Sequence, residues 1–173
     1  MNIESSLLKE RSKARCNKII AYIGSNKERF AELMRIFFEG EYRLTQHAAW
    51  PMSYCVQNHP GLIDPYLKKI VEKLSNPNEP AAVTRNIVRL LQDVDVPKKY
   101  HGKLMTACFN FLQSNETPVA IKAFSMTILQ NLSSQYPEII REVATIIEER
   151  WSFESAAFRS RAKKFLKSAK RDS

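Results

Sequence analysis

Apolar residues recur along this chain in a frame that returns about every 38 positions. The clearest copy is the stretch 121–132, Ile-Lys-Ala-Phe-Ser-Met-Thr-Ile-Leu-Gln-Asn-Leu. Leu44, Val83, Ile121 and Phe158 open four copies, and eight residues later stand Met52, Leu91, Leu129 and Leu166. Apolar side chains at i, i+4, i+7 and i+8 share one face of a helix. A second set repeats between the first: Phe30, Leu67, Leu104 and Val143, then Leu33, Ile70, Ala107 and Ile146, then Met34, Val71, Cys108 and Ile147. Two interleaved sets at one period predict pairs of helices stacked in an array, each pair burying its face against the next.

Turn and capping residues divide the pattern into about nine helices, near 3–23, 27–39, 41–58, 62–75, 80–94, 97–113, 118–135, 137–151 and 154–170. Gly24-Ser25-Asn26 breaks the chain after the first, which turns Leu8, Ile19, Ile20 and Ile23 inward and Lys9, Arg11, Lys13, Arg15 and Lys18 outward, and Gly40 ends the second. Pro51 falls inside the third and predicts a kink, since it removes one backbone donor and crowds the preceding turn. Thr117-Pro118 and Tyr136-Pro137 place proline where a helix begins. No stretch alternates at strand period. The expectation is a single all-α domain over residues 1–173, an α-α superhelix of four helical pairs and a closing helix, with a frayed basic tail at 171–173.

This arrangement resembles the HEAT-like α-solenoids over nearly the whole chain, and a proline-kinked first helix within a pair suits them. Some HEAT-like solenoids are DNA-alkylation-repair glycosylases, which hold DNA in a basic groove with Trp and Asp beside the damaged base. Here Trp50 and Trp151 stand on different helices and no Asp accompanies either in a matching arrangement. The resemblance therefore implies the fold, and a binding surface on the concave side, without carrying catalytic residues across.

Composition changes this picture little. Charge changes it more: the formal net charge is +9. Residues 3–24 carry five basic side chains against two acidic, and residues 154–173 seven against two. Arg159, Lys163, Lys164, Lys167 and Lys170 concentrate the second excess on the final helix. On the second helices of the pairs, which should line the concavity, only the middle is clearly basic, through Lys68, Lys69, Lys73, Lys98, Lys99 and Lys103. A dedicated phosphate groove would be more uniform, so the distribution leaves room for weak, non-specific nucleic-acid binding and favours a protein partner.

Candidate chemistry is thin. His47, His59 and His101 lie in different elements and read as surface or helix-end imidazoles, and Cys16, Cys55 and Cys108 have no metal-like or redox-like spacing and read as buried free thiols. No glycine-rich phosphate loop or nucleophile elbow is present. No catalytic residue, cofactor or metal is expected. Without a membrane-length apolar run or a leader pattern, the chain reads as a cytoplasmic monomer. Trp50 alone breaks the repeat, because Arg89, Thr127 and Lys164 stand at its equivalents. Either the Pro51 kink turns it inward, the commoner outcome, or it is an exposed aromatic open to a partner, and it is expected to lie beside Arg89.

Overall fold

The structure is a computed structural model that describes residues 1–9 and 12–169. The described residues form ten α-helices and three short 3-10 turns, with no strand. They are α1 (Ile3–Leu8), α2 (Lys13–Ile23), α3 (Lys27–Glu39), α4 (Tyr42–Asn58), α5 (Leu67–Lys73), α6 (Ala81–Leu91), α7 (His101–Gln113), α8 (Val119–Leu132), α9 (Glu138–Arg150) and α10 (Ala156–Ala169). None is long and apolar enough to cross a membrane. The all-helical α-α expectation holds. The basic tail at 171–173, Lys170 and Arg11 lie outside the described residues.

Three boundaries differ from the pattern. The first helix is two, because the Ser12 hydroxyl caps a fresh start by accepting the Arg15 N–H at 3.2 Å. Its α1 segment buries Ile3 and Leu7 and leaves Leu8 50% exposed, against the inward position expected for that leucine. The fourth helix opens only at Leu67, since Pro60 and Pro65 hold the preceding chain in 3-10 turns and a residue before proline is steered away from the α region. Helix α7 is likewise preceded by a 3-10 turn at 98–100. Helix α4 by contrast runs on through Pro51.

The chain divides into two compact units, residues 1–94 and 95–173. In the first, α4 is the central helix and packs against α1, α2, α3 and α6. In the second, α8 is central and packs against α7, α9 and α10. Of the repeat positions, Leu166 alone is partly exposed; the other side chains that define the two frames are buried, Met52, Leu129 and Phe158 among them. Burying a side chain of this kind contributes about 1.5–3 kcal/mol. Two helix ends show how the frame is punctuated: Gly24 closes α2 at φ +50°, and Asn26 caps α3 by accepting the Arg29 N–H at 2.8 Å.

Candidate functional site

Two surfaces of the first unit carry aromatic and cationic side chains together. On α4 and α6, the Arg89 guanidinium lies 4.2 Å from the centre of the Tyr54 ring. Hydrogen bonding from Arg89 is the leading reason that the Tyr54 phenol is held below its ordinary range, and the Trp50 side chain hydrogen-bonds to it as well. Trp50 is half-buried. Arg89 stacks on Tyr54, one turn beyond Trp50 on α4, and Tyr54 joins the two. The neighbouring pair Gln57 and Asp93, 3.4 Å apart, has nearly the same spacing. These partners are 35 and 36 residues apart, against 39 between Trp50 and Arg89, so adjacent helices meet about one turn out of step with the repeat frame. Beneath, Trp50 lines a 20 Å³ cavity with Leu7, Cys16, Ile19, His47 and Pro51, room for about one water.

The second surface lies on α3, on α5 and on the 3-10 turn 64–66 that leads into α5. Phe38 and Tyr66 are half-buried, with ring centres 6.4 Å apart, and Tyr66 meets Phe30 edge-on at 5.9 Å. The Lys69 ammonium sits 5.4 Å above the Phe38 ring, and Lys68 beside it is exposed. Lys73 is different: it is half-buried over Phe37 and donates to both Glu79 oxygens, at 3.0 and 2.9 Å. That ion pair ties the end of α5 to the loop before α6. Neither Phe38 nor Tyr66 stands out in the sequence, where Phe38 merely follows the core residue Phe37.

Lys98, Lys99 and Lys103 belong to the second unit and are exposed, with Lys99 near the ring of Tyr100. On α10, Lys163, Lys164 and Lys167 are exposed, whereas Arg159 is half-buried and donates to the carbonyls of Glu154 at 2.7 Å and Trp151 at 3.3 Å. Lys163 lies 5.9 Å from the Trp151 ring.

The second unit also holds a buried ionic cluster that the sequence pattern does not reveal. Lys122, 1% exposed, donates to Glu154, which also accepts from Arg150 at 2.7 Å. Arg150 reaches further, to the Gln113 carbonyl at 2.6 Å and the Asn115 side chain at 2.8 Å. Burial pushes the Glu154 carboxyl up, but the hydrogen bonds and charges of Lys122 and Arg150 outweigh it and hold the group below its ordinary value. Position 122 corresponds to Thr84 in the frame, which is also buried. A lysine at such a place needs an acid, and the fold supplies one from 32 residues away.

His59 is exposed, while the His47 Nδ1 donates to the Leu7 carbonyl, 2.7 Å away. His101 opens α7, a helix end as expected, but it is buried and not at the surface. Its Nε2 donates to the Val96 carbonyl at 2.6 Å, which leaves Nδ1 to accept from the Tyr136 hydroxyl at 3.2 Å. The three cysteines are buried thiols outside any disulfide among the described residues, and burial pushes those of Cys55 and Cys108 up to about 12. Among the described residues, no three His, Cys, Asp or Glu side chains gather as a metal ion would require.

A family model described as HEAT repeat domain matches residues 3–169. The chain belongs to the HEAT repeat family. No curated protein and no solved structure matches it significantly. The HEAT repeats here set two half-exposed aromatic and cationic patches on rigid helices of the first unit and a basic helix in the second, the arrangement of a helical-repeat scaffold.

Proposed function

We propose that this HEAT repeat protein is a non-enzymatic cytoplasmic adaptor, acting as a monomer, that binds another protein through the second helices of its pairs. The observation that carries the reading is the α3–α5 surface. Phe38, on α3, and Tyr66, in the turn that caps α5, offer apolar area at low entropic cost. Lys68 and Lys69 add positive charge at its rim. Lys98, Lys99 and Lys103 extend the set of candidate contacts. Trp50 is held in reserve, since its ring is already engaged with Tyr54. The test is capture of binding proteins from native lysate by the wild-type chain and by Lys68→Glu/Lys69→Glu, with and without nuclease. A partner retained after nuclease treatment and lost with the double variant supports the adaptor. Capture that nuclease abolishes argues for nucleic acid.

Nucleic-acid binding is the second reading, favoured by α10, which carries five basic residues and no acidic one. It requires affinity that falls steeply with salt and weakens when Lys163, Lys164 and Lys167 become Gln.

A further inference from the structure

Cys16 and Cys55 lie on two helices of the first unit that pack together, α2 and α4. The small cavity beneath Trp50 shows where on α4 the first of them sits. It sets Arg15 and Cys16 of α2 against His47, Trp50 and Pro51 of α4. His47, Pro51 and Cys55 follow one another at four-residue steps, so they share one stripe of α4. Cys16 shares its cavity with the first two, and Cys55 is next on the stripe, about 6 Å beyond Pro51 along the axis. Electrostatics agree with that placement: negative charge on Cys16 is felt by the Cys55 thiol and by the adjoining Tyr54 phenol, and opposes the ionisation of both. The third thiol, Cys108, belongs to the second unit.

The two thiols differ in their surroundings. Cys16 stands in the first turn of α2, where its N–H donates to the Ser12 carbonyl at 3.0 Å. Arg15 beside it has its Nε buried and without a hydrogen-bond partner among the described residues. A helix N-terminus and a neighbouring guanidinium are the setting in which a thiol becomes the attacking group. Cys55 stands in the last turn of α4, the negative end, and burial pushes its thiol up to about 12. It is suited to the second step of an oxidation and not to the first. A metal ion is the other use of paired thiols, but among the described residues no third ligand joins them.

We propose that Cys16 and Cys55 form a redox pair, in which a small hydroperoxide oxidises Cys16 at the cavity and Cys55 then closes a disulfide that staples α2 to α4. With hydrogen peroxide, the Cys16 sulfur attacks one oxygen and the O–O bond breaks, giving a sulfenic acid and water. The Cys55 sulfur attacks that sulfur, and the hydroxyl leaves as water with the Cys55 proton. Two thiols and one peroxide become one disulfide and two waters; the sulfurs are oxidised and the peroxide is reduced. In a reducing compartment such a bond is transient and reports oxidant. The staple fixes α2 against the helix that carries Trp50 and Tyr54. The experiment treats the full chain with hydrogen peroxide, alkylates the remaining thiols after denaturation and maps the peptides by mass spectrometry. The expected product is a Cys16–Cys55 cross-link within one chain, reversed by dithiothreitol, with Cys108 still alkylated. Cys55→Ala should leave a sulfenic acid at Cys16 that dimedone captures, and Cys16→Ala should slow oxidation of Cys55 roughly ten-fold or more. If either variant fails to fold, the wild-type map alone decides. Three reduced thiols, under conditions that oxidise free glutathione, overturn the proposal. So does a cross-link that involves Cys108, joins two chains or forms only in urea, and so does oxidation of Cys108 as fast as that of Cys16.

Discussion

Glu154 shows what a single residue holds in this fold. Removing it strands Lys122, which is buried and left with no other acid at its ammonium among the described residues, whereas removing Lys122 leaves Glu154 still paired with Arg150. Breaking a buried pair from the uncompensated side costs about 3–5 kcal/mol. Urea denaturation should therefore show Glu154→Ala well below Lys122→Met in stability; equal losses would refute the asymmetry. The sign of the pH dependence follows from the depressed carboxyl. Its stabilisation is complete above the unfolded value of 4.5 and is lost as pH falls through the lower folded value, so Glu154→Gln should flatten the acid limb of the stability curve. Tyr54 offers a second residue-scale test. Arg89→Ala removes its leading hydrogen bond, so the Tyr54 phenol should titrate nearer 10.0, read by ultraviolet absorbance against a Tyr54→Phe control. If the difference titration is the same with and without Arg89, the contact is not made. Neither cluster is visible in the one-letter pattern, because each joins residues more than thirty positions apart whose types carry no periodicity.

At the scale of the elements, periodicity located nearly every helix, because a buried stripe demands regular spacing and both stripes are long. It failed where local sterics outrank the stripe: at Ser12, where capping restarts a helix, and at Pro60 and Pro65, which delay α5. It did not single out Tyr54 as the ring that Arg89 stacks on, since a repeat frame gives equivalence and not the stagger of crossed helices. Two glycines probe helix geometry from opposite sides. A Cβ at Gly40, the end of α3, would stand 2.4 Å from the Ile36 carbonyl oxygen and 3.1 Å from the Leu44 Cβ. Gly40→Ala should therefore cost about 1–3 kcal/mol. At Gly102, in the first turn of α7, nothing lies within 4 Å, so Gly102→Ala should stabilise by about 0.5–1 kcal/mol. Opposite shifts in melting temperature check the pair.

For the molecule as a whole, α10 decides whether the array stays soluble. Phe158, Ala162 and Phe165 are buried and the helix packs on α8 and α9, while its lysines face water. Deleting residues 156–173 should expose Ile128, Leu129 and their neighbours and bring on aggregation, seen by light scattering. Changing Lys163, Lys164 and Lys167 to Gln should shift stability by no more than about 0.5 kcal/mol. A truncated chain that stays monodisperse would show that α10 is dispensable as a cover. The charge excess of the last segment could be counted from sequence, but its division into exposed lysines and an inward-tied Arg159 could not.

The clasp at Lys122 also bears on modularity. Repeat proteins invite cut-and-paste engineering, in which one unit is duplicated to lengthen the array. Here a graft of α8 alone would import an ammonium without its acid, and a graft of α10 alone would leave its preceding carboxylate behind. The heritable unit in this part of the chain is therefore longer than one helical pair: from the end of α7 to the start of α10, the segments must travel together or be rewritten together.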